Sequence, residues 1–279
     1  MSASPLLNPN NDKGWTSGFA NMLAKENKNW WNARSLAIQF LLWLLIVNGM
    51  VALAVFALPS LVQGAPSGSM LDMTPTQIAN IGVSLFFQLS GIAMLMGAII
   101  IGHDSISRER ESGTAAWLLS KPLSRRSFVL SKLVANVFGM LVIMVLAQGV
   151  IAYILCSVAL HGLLNIPAFL TGLGLLGLDL TFFMVLSICL GAFTTSKGVT
   201  LGVPILTAIA GSIIMPLEPL LPFNPHLEYY LPWNLAGTAV SVITGSTMDI
   251  TAIYPVIATV ILIILFTLAA VLRFDSLEL

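Results

Sequence analysis

Six stretches of this chain are long, apolar and almost free of charge, more than a water-soluble core of this length could enclose. Leu36 to Leu58, Ile81 to Ile101 and Leu133 to Leu160 contain no charged residue, and Ile166 to Thr195 contains only Asp179. Gly198 to Met215 is shorter and stops at Pro216, and Ile250 to Leu272 is the most uniformly apolar. About 20 apolar residues in a helix cross the hydrocarbon of a bilayer. The third run is long enough to tilt or to project beyond it. Charged residues make up only 9% of the 279, against roughly a quarter in soluble domains. The expectation is an all-α integral membrane protein with six transmembrane helices. The first run follows 35 mostly polar residues and lacks a small-residue cleavage site, so it reads as a retained anchor.

Orientation follows from the 12 basic residues. Lys13, Lys25, Lys28 and Arg34 precede the first run. Arg108, Arg110, Lys121, Arg125, Arg126 and Lys132 lie between the second and third, Lys197 joins the fourth to the fifth, and Arg273 follows the sixth. The other connections (Pro59 to Asn80, His161 to Asn165, Pro216 to Asp249) have none. Positive residues favour the cytoplasmic side, so this alternation predicts that both termini are cytoplasmic. Five or seven spans would scatter the basic residues over both sides. The formal net charge is zero, which suggests neither nucleic acid nor an acidic partner. Cys156 and Cys189 lie inside apolar runs and read as small packing residues.

The chain divides into a cytoplasmic segment at 1–35 and a membrane domain at 36–279. Gly18 to Arg34 is amphipathic, with Phe19, Met22, Leu23 and Trp30 near one face, and suits a helix lying in the membrane interface. Met1 to Asn11 reads as disordered. Within the membrane domain, polar chemistry concentrates in the connection at 102–127. Asp104 to Glu111 extends the second span as a charged helix. Gly113 breaks it, and Thr114 caps a short helix carrying Trp117, Leu118 and Leu119. Pro122 ends that piece, and Ser124 caps the next. A docking surface for a cytosolic partner accounts for the Trp-Leu-Leu patch. A loop folded back on lipid headgroups is the alternative.

This connection resembles the cytoplasmic loop of ABC-2 type permeases, the six-span subunits of a class of ATP-binding-cassette transporters. Asp104, Ile106, Glu109, Arg110, Glu111, Gly113, Thr114, Leu118, Leu119, Pro122, Ser124, Arg125 and Lys132 carry the resemblance. It departs at Ala115 to Trp117, where members often place a leucine directly after Gly-Thr. The resemblance implies a type V exporter-like permease in the plasma (cell inner) membrane. Two copies would pair as a homodimer. Each loop would couple to a separate ATPase, present in two copies, through Asp104, Glu109, Arg110, Glu111, Gly113, Thr114, Trp117 and Leu118. ATP and magnesium would belong to that ATPase and no cofactor to this chain. No phosphate-binding Gly-x-x-x-x-Gly-Lys-[Ser/Thr] motif occurs, so no catalytic residue for ATP hydrolysis is assigned.

Two further features bear on function. Asp179 is the one ionisable residue deep within a run, and hydrocarbon penalises it unless it faces protein or water. It belongs either to a transport path or dimer seam, or to a structural hydrogen bond. Gly172, Gly174 and Gly177 nearby predict close helix approach. The connection at 216–249 is rich in proline and aromatic residues. It suits either re-entrant helices, as the resemblance implies, or an ordinary loop with an aromatic belt. Glu218, His226 and Glu228 match no standard ligand spacing, so no metal site is assigned. A secondary transporter would need more polar groups in its spans. An intramembrane protease would need a nucleophile and base at depth, whereas His103, His161 and His226 fall at or beyond span ends. An ATPase-independent scaffold or assembly factor is the main alternative.

Overall fold

The computed structural model describes residues 14, 17–57, 59, 73–120, 123–217, 230–245 and 250–276, and every regular element among them is helical. Six helices are long and apolar enough to cross a membrane. They are α2 (Ala33–Ala57), α3 (Pro75–Glu111), α5 (Arg125–Leu160), α6 (Ile166–Phe193), α7 (Lys197–Leu217) and α9 (Ile253–Asp275). Three shorter helices are α1 (Phe19–Trp30), α4 (Thr114–Leu119) and α8 (Leu235–Thr244). The amphipathic segment before the first span is therefore helical. The apolar runs lie in the six long helices, apart from Thr194–Thr195 and a short 3-10 turn at Ile250–Ala252. Leu58, Met1 to Asn11 and the Glu218, His226 and Glu228 group lie outside the described residues.

Side-chain caps start three of the long helices: Ser124 does so as expected from the sequence, and α3 begins at Pro75, six residues before the apolar run. Thr74 and Gln77 form a reciprocal capping box at α3: the Gln77 N–H donates to Thr74 Oγ1 at 3.3 Å, and the Thr74 N–H donates to Gln77 Oε1 at 2.8 Å. Ser124 Oγ accepts from the Ser127 N–H at 3.1 Å and caps α5. Asn165 Oδ1 accepts from the Ala168 N–H at 3.1 Å and starts α6. These bonds satisfy N–H groups that the first helical turn leaves open.

Helix α6 is the axle of the bundle. A helix apolar on every face must be surrounded, and α3, α8 and α9 pack around α6. Phe169, Leu173, Leu176, Leu180, Phe183 and Ile188 are all buried along its length. Near its far end α3 touches it backbone to backbone. A Cβ on Gly102 would lie 2.7 Å from the Met184 carbonyl oxygen, so only glycine fits. The expected glycine cluster is split: Gly172 abuts Phe87 and Ile243, and Gly177 abuts Leu141, but Gly174 faces open space. Gly174 is thus not part of a close approach, because its turn of α6 borders an open groove between α5 and α6.

On the other flank, α2 meets α5 through buried amides. Asn48 Nδ2 donates to Gln148 Oε1 at 2.8 Å, and Gln148 Nε2 donates to the Phe40 carbonyl at 3.2 Å. Hydrocarbon offers no competing partner, so such bonds fix helix register. Widened π turns interrupt α2 at Leu44–Asn48 and Leu53–Ala57, α3 at Ser90–Met94, and α5 at Leu141–Leu146. Insertions of this kind often mark functional positions.

Candidate functional site

Charged side chains gather at one end of the bundle, where α1 lies across α3 and α5. Lys132 of α5 is only 2% exposed and is held by two carboxylates. Its Nζ lies 3.0 Å from Glu26 Oε1 of α1 and 3.1 Å from Glu109 Oε2 of α3. Lys25 Nζ closes the group at 3.1 Å from Glu109 Oε1. Beneath it, Trp30 Nε1 donates to Asn136 Oδ1 at 2.9 Å, and Asn136 Nδ2 donates to Ser105 Oγ at 3.0 Å. The Trp30 ring covers Gly139, where a Cβ would lie 2.2 Å away. Opposite charges, hydrogen bonds and an aromatic plug thus bolt α1 to both spans. A buried ammonium is tolerable only when paired in this way.

The same end anchors α6 and α9. Arg110 Nη1 donates to the Gly191 and Ala192 carbonyls at 2.8 and 3.1 Å, satisfying the last turn of α6. Arg126 Nη2 meets Asp275 Oδ2 at 2.8 Å, and Arg125 Nη1 donates to the Asp275 carbonyl at 2.8 Å. Phe128 stacks on Phe274 with ring centroids 5.0 Å apart. His103 Nδ1 lies 2.6 Å from Thr200 Oγ1 and links α3 to α7.

Helix α3 runs on through this charged end and stops at Glu111. Gly113 then adopts φ +70°, a left-handed conformation that glycine accepts without strain, and α4 begins at Thr114. Ser112 Oγ and Thr114 Oγ1 lie 2.8 Å apart across the turn. Ala115 is buried and Leu118 packs on the core, whereas Trp117 is 59% exposed. Glu111 faces outward with Lys197 at 3.6 Å, and the Asp104 side chain is half exposed.

The predicted coupling residues therefore separate into three groups. Asp104, Glu111 and Trp117 look outward. Glu109 and Arg110 turn inward and hold the turn to the bundle. Leu118 seats α4, while Gly113 and Thr114 shape it. Sequence reasoning missed Lys25, Glu26, Lys132, Trp30 and Asn136 as one joint. Lys132 counts as a connection residue by charge alone. The only available signal was that a lone lysine begins an otherwise apolar stretch of α5.

At mid-depth the surroundings are different. Asp179 sits halfway along α6, 5% exposed, and its Oδ1 has no hydrogen-bond partner among the described residues. It borders an open-sided cavity of about 420 Å³. Gln88 and Met96 of α3, Ser212 of α7, and Trp233 and Asn234 before α8 also line that cavity. Of the 216–249 connection, residues 218–229 and 246–249 lie outside the described residues. Within the described part, α8 packs against α6 and the first half of α3. Cys156 and Cys189 are buried free thiols.

Six spans, one of them a buried central helix, with a folded charged connection at one end and an acid beside a mid-depth cavity, define a polytopic membrane protein of the permease class. Residues 21–279 match the family model described as "ABC-2 family transporter protein", and the chain belongs to that family. It is a membrane-embedded permease subunit of an ABC transporter, a class that works with an ABC ATPase. No curated protein matches the sequence.

Proposed function

We propose that α4 is the coupling helix of an exporter, onto which a separate ATPase docks from the cytoplasm. The observation that carries this reading is the mounting of α4. It presents Trp117 outward while the turn before it is rooted in the bundle through Glu109 and Arg110. A push on α4 would pass along α3 to α1 and α5 through the Glu109–Lys132–Glu26 joint, and to α6 through Arg110. Closure of an ATPase dimer would thereby rock the spans. ATP and magnesium stay on that partner. Two permease copies in the plasma membrane, with both termini cytoplasmic and α8 capping the outer side, complete the assembly.

The test is co-purification of the ATPase from native membranes with wild-type chain and with Glu111→Arg. The expected result is a folded variant with weakened ATPase recovery. Equal recovery would mean that this end does not dock the ATPase. Orientation is tested by cysteine labelling of intact cells in a Cys156→Ser, Cys189→Ser background. Gly162→Cys, in open space beyond α5, should react from outside. Ser112→Cys should react only after permeabilisation, and external reaction there would invert the orientation.

A further inference from the structure

We propose that the cavity beside Asp179 binds an amphiphile whose polar end carries an ammonium group, and that this ligand enters sideways from the bilayer. That the ligand is also the transported cargo rests on the permease reading; its binding does not. An ionised carboxylate at this depth is costly without a counter-charge. Among the described residues none supplies it: no Lys, Arg or His lines the cavity, and Asp179 Oδ1 has no partner. The Trp233 indole N–H on the same wall is also buried and has no partner among the described residues. Indole only donates, whereas carboxylate only accepts. A fitting head group therefore offers a cation to Asp179 and an acceptor oxygen to Trp233.

The remaining walls set the rest of the ligand. Leu95, Met96 and Phe183 are apolar, as suits an alkyl or ring body. Divalent metal cations usually take several charged oxygen ligands, and on the described wall Asp179 is the one carboxylate, beside only the neutral groups of Gln88, Ser212 and Asn234, which favours an organic cation. The volume of about 420 Å³ lies in the range of small-molecule sites. Ile92 and Ile209 form part of the wall and are 64% and 45% exposed, giving the opening an apolar rim that suits entry from lipid. The widened turn Ser90–Met94 places Gly91 and Ile92 on that wall. Glu26 and Glu109 at the charged end, by contrast, each have the Lys132 ammonium within 3.1 Å.

The full chain, in phosphatidylcholine nanodiscs without ATPase, is labelled with a diazirine-bearing dodecylamine and with the matching dodecanol. The amine should label saturably, with adducts mapping to 88–96 and 208–212. Asp179→Asn should reduce saturable amine labelling at least about tenfold, the scale of a lost charged hydrogen bond. It should leave dodecanol labelling unchanged. Ile209→Trp fills the rim from an exposed position and should block the amine with an unchanged melting temperature, so the proposal stays testable if Asp179→Asn folds poorly. Equal labelling by amine and alcohol, or full amine labelling in both variants, would overturn the site. Loss of amine labelling only on dilution to monomers would instead assign Asp179 to a seam between copies and overturn a site within one chain. Saturable binding with no effect of dodecylamine on ATP hydrolysis, once the ATPase is added, would keep the site and reject its ligand as cargo.

Discussion

The charged end and the middle of the bundle treat buried ionisable groups in opposite ways. At the end, Lys132 is sealed from solvent and meets two carboxylates, while Arg110 satisfies two carbonyls. In the middle, Asp179 is also buried but beside an open-sided cavity, and its Oδ1 has no partner among the described residues. A group with matched partners holds structure, because its desolvation is offset only in that one arrangement. A group with no partner among the described residues holds no such joint, which leaves it free to meet something outside the chain. Pairing, more than burial, thus separates a joint from a site.

The largest expected effect breaks the joint. Lys132→Ala leaves Glu26 and Glu109 facing each other with one exposed lysine between them. It should lower stability by about 3–5 kcal/mol, the cost of orphaning a buried charge. Thermal unfolding in detergent checks this, and adding Glu26→Gln and Glu109→Gln should recover part of the loss. A Lys132→Ala melting temperature equal to wild type would show that the joint holds nothing. Arg110→Ala should cost less, about 1.5–3 kcal/mol, because it removes charged hydrogen bonds to two carbonyls at a helix end. Its fingerprint is faster hydrogen exchange confined to the last turn of α6. Uniform exchange across the chain would deny Arg110 a capping role.

The smallest stability effect belongs to the middle. Asp179→Asn keeps the shape and replaces a carboxyl that has no partner among the described residues, so stability should change by less than about 1 kcal/mol. A drop as large as that of Lys132→Ala would place Asp179 in a structural bond and erase the contrast.

Much of this architecture is legible in the sequence because spanning helices are dictated by length and apolarity. Ile81 to Ile101 marks the centre of α3, and Asp104 to Glu111 marks its charged extension. Gly113 and Ser124 mark turns through backbone freedom and capping. What composition cannot show is which helix becomes the axle: α6 and α9 are both apolar, but only α6 is enclosed. That outcome depends on contacts such as Gly102 against Met184, decided by tertiary packing. Asn48 and Gln148 find each other across 100 residues, and neither alone signals the pair. In the 102–127 connection, charge type was readable but direction was not. Glu109, Arg110 and Glu111 are adjacent, yet helical spacing of about 100° per residue sends the first two inward and the third outward.

On the proposed reading, α4 grips an ATPase through Trp117 while the joint behind it keeps the grip stiff. The affinity of the co-purified ATPase for reconstituted wild-type and Trp117→Ala chains tests it most directly. Truncating an exposed aromatic anchor costs about 2 kcal/mol in a docked interface, so Kd should rise roughly thirtyfold. The melting temperature of the permease should stay unchanged. An unaltered Kd, with permease-stimulated ATP hydrolysis also intact, would contradict the claim and remove α4 from the coupling path.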